Sequence, residues 1–117
     1  MITDAVFSTR YDLERYNCLH FVCDMMKAGF GREMSYDTIM SGIRGDRSTR
    51  RMFELLEKPQ EGCLCLFDFV VGDESHVGLF YNGNVLHITE RGVRHQPVFE
   101  VLLGYSGVKY YAYRHNN

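Results

Sequence analysis

His76-Val77-Gly78-Leu79-Phe80-Tyr81-Asn82-Gly83-Asn84-Val85-Leu86-His87 reads as a β-hairpin. Two runs rich in β-branched and aromatic residues meet at Asn-Gly, the pair that best tolerates the positive φ angles of a tight type I′ turn. A two-residue turn fixes the register. Tyr81 then opposes Asn84, Phe80 opposes Val85, and Gly78 opposes His87. His76 has the parity of Gly78, so both imidazoles fall on one face as diagonal neighbours, roughly 7–8 Å apart at the backbone and within reach of long side chains. Glycine at position 78 leaves room for the His87 ring. A three-residue turn would instead send the two histidines to opposite faces.

Further strands are expected outward from this hairpin at 63–70 and 108–114, with a shorter one near 97–103. Gly72-Asp73 and Ser106-Gly107 mark the turns. Before Gly62 the pattern is helical. In residues 18–28, Leu19, Phe21, Val22, Met25 and Met26 make an apolar stripe, with His20, Asp24 and Lys27 on the other side. Asn17 suits the N-cap and Gly29 the C-terminal cap. Shorter helices are expected at 36–43 after Ser35 and at 47–58 after Asp46, the latter stopped by Pro59. Helices first and an antiparallel sheet of five to six strands afterwards is an α+β order. With 117 residues, 45% of them apolar, the chain reads as one domain over 1–117 with a core of its own.

The charge balance excludes some functions. A net charge of -2, with basic residues scattered apart from Arg44 to Arg51, gives no nucleic-acid surface. Residues 1–10 have neither a basic start nor a long apolar run, so no secretory signal is expected and synthesis in the cytoplasm is. No segment is long enough to span a bilayer. The four cysteines do not read as a disulfide framework. Cys18 and Cys23 are separated by a helical rise of roughly 7.5 Å and point in different directions. Cys63 and Cys65 share a strand face about 6.6 Å apart, too far for an unstrained bridge.

Cys18 carries the chemistry. It follows the cap residue Asn17, where unpaired backbone N–H groups and the helix dipole favour negative charge and are expected to depress a thiol pKa. His20 is close in sequence but about 200° around the helix, so it is not the base. That leaves His76, with His87 placed to orient it. A thiol, a base and an orienting group form the set needed for nucleophilic attack on a carbonyl. The same three residues are a donor set that zinc accepts, but the close Cys/His spacings of structural zinc sites are absent. No cofactor is expected. His95 and His115 lie in polar segments and need no special role, and Cys63 and Cys65 read as core.

The ordered set of motifs resembles the NlpC-type cysteine peptidases, papain-like enzymes that cut peptides of bacterial cell walls. The matching pieces are Asn17-Cys18-Leu19-His20-Phe21-Val22, Glu61 to Phe67, His76 to Tyr81 and Gly83 to His87, spread over roughly residues 11–115. The resemblance implies a papain-like fold with Cys18 as nucleophile, His76 as base and His87 as the polar third member. It also implies that Tyr11 lines the site and that the Cys18 N–H contributes to an oxyanion hole. Family members acting on wall peptides carry Asp-Cys-Ser-Gly at the nucleophile, whereas Leu19 and His20 here are bulky and are expected to crowd the entry. The Asn-Cys-x-His-Phe-Val form resembles the branch found in bacteriophage tail-assembly proteins. The implied setting is a virion or prophage, the implied substrate a peptidoglycan peptide or a protein, and phage tail proteins the implied partners. The alternative is a structural tail-assembly module on a peptidase fold, its activity lost or incidental.

Overall fold

Asn82 and Gly83 hold φ angles of 50° and 80°, so the turn is the tight one that the Asn-Gly pair favours. The register follows, with Tyr81 opposite Asn84, Phe80 opposite Val85 and Leu79 opposite Leu86. A computed structural model of the chain describes residues 2–12, 17–68 and 75–114. The expected turn at Gly72-Asp73, the end of the strand drawn to residue 70, Tyr16 and His115 lie outside the described residues.

In chain order, a 3-10 turn (Asp4–Ser8) precedes helices α1 (Cys18–Phe30), α2 (Tyr36–Arg44) and α3 (Arg47–Arg50). Strands β1 (Phe53–Leu56), β2 (Leu64–Asp68), β3 (Ser75–Tyr81), β4 (Asn84–Thr89) and β5 (Gly92–Gln96) follow. Helix α4 (Val98–Leu102) and strand β6 (Gly107–Tyr113) complete the order. The strands form one antiparallel six-stranded sheet in the order β1-β6-β2-β3-β4-β5. The fold is α+β, as the element order implies. No described helix is long and apolar enough to cross a membrane.

Three expectations are corrected. The helix drawn over 47–58 stops at Arg50, and Phe53 to Leu56 form an edge strand on β6, with Phe53 paired to Tyr113 and their rings edge to face at 5.6 Å. Glu and Leu favour helix by a few tenths of a kcal/mol each at most, and the tertiary pairing offered by β6 overrides that preference. The short strand near 97–103 is helix α4, whose Val98, Val101 and Leu102 pack at helical spacing behind Pro97. Helix α1 runs past Gly29 to Phe30, and Gly31, at φ 64°, supplies the left-handed cap. Strand β5 was not expected at all.

The sheet buries apolar side chains on both faces. Leu19, Phe21, Val22 and Met26 of α1 pack on Val77 and Leu79 of β3 and on Leu86 and Ile88 of β4. On the opposite face Cys65, Phe67, Val85 and α4's Val101 make a second, smaller cluster. Residue parity therefore assigns each strand side chain to one core or the other.

Candidate active site

Asn17 caps α1 by accepting the Leu19 and His20 N–H groups on its side-chain oxygen, at 3.0 and 3.3 Å. His20 Nδ1 in return accepts the Asn17 N–H at 3.2 Å, completing a capping box in which histidine takes the usual place of Glu or Gln. The His20 ring also stacks on Tyr36 at 4.5 Å. Cys18 is thus fixed as the first helical residue. Leu19, only 7% exposed, turns into the core beneath α1 and does not crowd the entry as expected.

Strand geometry explains what the thiol meets. The Phe80 N–H and C=O both bond on the β2 side, to Cys63 and Gly62 at 2.9 and 2.8 Å. Backbone groups alternate sides along a strand, so the amide of Val77 points towards β4. Pairing between β3 and β4 ends at Leu79 and Leu86, which leaves the ladder open at Val77. The N-terminus of α1 comes up to that opening, and the Val77 N–H donates to the Cys18 sulfur.

His76 and His87 project from the face that α4 covers, on the same side of the sheet as their shared parity requires. His76 Nε2 and His87 Nδ1 are 2.7 Å apart. Gln96 Oε1 lies 2.9 Å from the other nitrogen, Nε2 of His87. The His76 ring stacks nearly parallel on Tyr105, centroids 5.6 Å apart, and also meets Phe67, its direct partner on β2. The two imidazoles are only 9% and 4% exposed. Gly78 makes this packing possible, because a Cβ there would lie 2.5 Å from a Val85 methyl and 3.3 Å from His87 Cβ.

Burial dominates the electrostatics. It pushes the Cys18 thiol up, against the opposing pull of the Val77, Cys18 and Leu19 N–H groups. The expected depression by the helix terminus is present but loses to desolvation. Burial, aided by His87, brings His76 down to about 3. His87 is also lowered by burial, with the Gln96 hydrogen bond acting the other way and Arg94 and His95 adding repulsion. The resting pair is a neutral thiol beside neutral imidazoles. Tyr105, which stacks on His76, is raised by burial and by the nearby Cys18 and Tyr11.

The structure therefore brings His76 and His87 into direct contact and sets Cys18 against the residue next to His76. Among the described residues, no hydrogen bond joins the thiol to either imidazole. Tyr11 is half-buried, packs against the α1 core and is close enough to Tyr105 to affect its charge. Cys18, His76 and His87 do not converge as a metal-binding group among the described residues. Gln96 and Tyr105 were missed. Gln96 was within reach of the parity argument, since a two-residue turn at Glu90-Arg91 pairs Val85 with Gln96 and puts it diagonal to His87. Tyr105 follows α4 in a loop and left no periodic signal.

The remaining cysteines are free thiols. Cys63 lies just before β2, after Gly62 at φ 82°, and its thiol contacts that of Cys65, which is pushed up by this neighbour and by burial. An apolar cavity of about 50 Å³ lies between α2 and the sheet, lined by Ile39, Phe53, Leu64 and Val77 among others. It lies on the α1 face and has no part in the histidine site. Neither the models of known protein families nor the curated protein sequences give a match to this chain.

Proposed function

We propose that this protein is a thiol-dependent peptidase with the papain-like, NlpC-type arrangement, in which Cys18 is the nucleophile, His76 the base and His87 the group that orients it. The observation that supports it most is the 2.7 Å contact between His76 Nε2 and His87 Nδ1, next to a helix-opening thiol held by the Val77 amide. A core has little need for two buried imidazoles bonded to each other, whereas a base needs an orienting partner. His76 Nδ1 would take the Cys18 proton as the sulfur attacks a substrate carbonyl carbon. The electron pair displaced onto the oxygen would meet the Cys18 backbone N–H. As the tetrahedral species collapses, the departing amine takes the proton from Nδ1 and leaves a thioester on Cys18. Water, deprotonated by the same nitrogen, then releases the acid and restores the thiol.

The substrate of this reading is a wall peptide or a protein handled during phage tail assembly. Incubating the protein with purified peptidoglycan and reading product masses tests it. New peptide termini that vanish in Cys18→Ala and His76→Ala support the reading; intact wall fragments under all conditions count against it. The second reading, a structural tail-assembly module, is favoured by one observation: α4 exposes Phe99 and the adjoining Leu103 at 70% and 85%, large apolar side chains open to a partner.

A further inference from the structure

We propose that Gln96 is a positioning residue which, through His87, decides which nitrogen of His76 is free to accept the Cys18 proton; the inference rests on the peptidase reading above. An amide oxygen only accepts hydrogen bonds, so the 2.9 Å contact with Gln96 Oε1 puts the His87 proton on Nε2. A neutral imidazole carries one N–H, and His87 Nδ1 is then a lone pair. That lone pair faces His76 Nε2 at 2.7 Å, so His76 carries its proton on Nε2. His76 Nδ1 is left as an acceptor. This is the one neutral tautomer in which His76 can take a proton from the thiol.

The chain of contacts runs in one direction. Had Gln96 presented its NH₂ group, each proton along the row would move to the opposite nitrogen, and His76 would offer Nδ1–H, a donor, to Cys18. When His76 does accept the thiol proton, its Nε2–H stays on His87 and the His87 Nε2–H stays on Gln96, so a single proton transfer suffices. The row ends on a neutral oxygen that accepts from the charged state. Arg94, directly across from His87, shares the face of the row, and His95 lies on the opposite face bonded to the Tyr81 carbonyl; both oppose positive charge on His87, while Tyr105 stacks on His76 and lies near Cys18. Of these, Arg94 and His95 disfavour a charged His87, which keeps the tautomer argument in force. Gln96 sits directly across from Val85, so β5 register alone holds it on the face of the two histidines.

The test compares ¹⁵N-labelled wild type, Gln96→Leu and Gln96→Glu at pH 7. Long-range ¹H–¹⁵N spectra of the imidazoles give the tautomers, and the rate of Cys18 alkylation by iodoacetamide, followed by peptide mapping, gives the reactivity. Wild type should show Nε2–H on both His76 and His87. Gln96→Leu should mix or invert these forms and slow Cys18 alkylation roughly threefold to tenfold, the worth of one ordinary hydrogen bond. Gln96→Glu, whose carboxylate accepts the same bond, should restore both. Nδ1–H on His76 in wild type overturns the inference, as do unchanged tautomers and rate in Gln96→Leu. Should Gln96→Leu not fold, the wild-type tautomers still decide. The spectra need no substrate, so their outcome is separate from peptidoglycan digestion, on which the peptidase reading stands or falls.

Discussion

Acid should unfold this protein through His76. Its pKa is about 3 in the folded state against 6.5 as the ordinary value, because burial and His87 both disfavour the charged ring. The folded value lies below the unfolded one, so the unfolded chain takes up the proton first. The contribution is complete above about pH 6.5 and is lost progressively as the pH falls towards 3. Each pH unit in that window is worth about 1.4 kcal/mol, so His76 alone should remove about 2 kcal/mol between pH 6.5 and 5 and at most about 5 kcal/mol by pH 3. Replacing His76 by Gln keeps an N–H donor for His87 and removes the titration. In urea unfolding, wild type should lose about 1 M of midpoint more than His76→Gln between pH 6.5 and 5, taking a slope of about 2 kcal/mol/M. Every other group is the same in both proteins, and the difference isolates His76. Equal losses in the two would show that His76 is not held neutral by its surroundings, and the account of the buried pair would have to be abandoned.

Three other outcomes follow from the same geometry. Because burial raises the Cys18 thiol, its alkylation rate should climb through pH 8 and beyond, while Cys65, buried and raised, stays slower; a rate already level below pH 6 would mean a preformed thiolate–imidazolium pair and contradict the neutral resting state. Gly78→Ala sets a methyl against Val85 and His87 and should cost about 1–3 kcal/mol in a denaturant melt, with wild-type stability as the result that refutes the close approach. Asn17→Ala removes the acceptor for two helix N–H groups and should cost about 1 kcal/mol, measurable as a lower melting temperature; no change would mean the cap is replaced by solvent.

The parts of this structure that could be read in the sequence are those fixed by local chemistry. Asn82-Gly83 dictates its turn, the turn dictates the register, and the register puts His76 and His87 on one face without any knowledge of the rest of the chain. Asn17 likewise fixes where α1 begins. Where the reading failed, a distant partner decided the outcome. Phe53 to Leu56 have no strand alternation of their own and become a strand because β6 has an open edge beside them. Strand β5 alternates Val93 with Arg94 only weakly, and becomes legible once β4 is known to need a partner. Val98, Val101 and Leu102 did carry helical spacing behind a proline, and α4 could have been read from it.

The same division between local and distant causes explains the site. A helix N-terminus beside Cys18 is a local fact, and it does pull the thiol down. The desolvation that overrides it arises only in the folded chain, where α1 packs on the sheet and buries the sulfur. The opening between β3 and β4 is what joins these effects. It frees the Val77 amide to hold the sulfur, and it lets a helix lying on one face of the sheet present its thiol beside histidines that project from the other. A closed ladder would pair Val77 with β4, leave the thiol without its donor and separate the two faces completely. The order of the site therefore depends on where β3–β4 pairing stops, and Gly78, the residue just beyond the last pair, has no room for a Cβ against Val85 and His87. A side chain added there pushes on the strand separation and on the His76–His87 contact together, so stability and Cys18 reactivity should fall in step in Gly78→Ala.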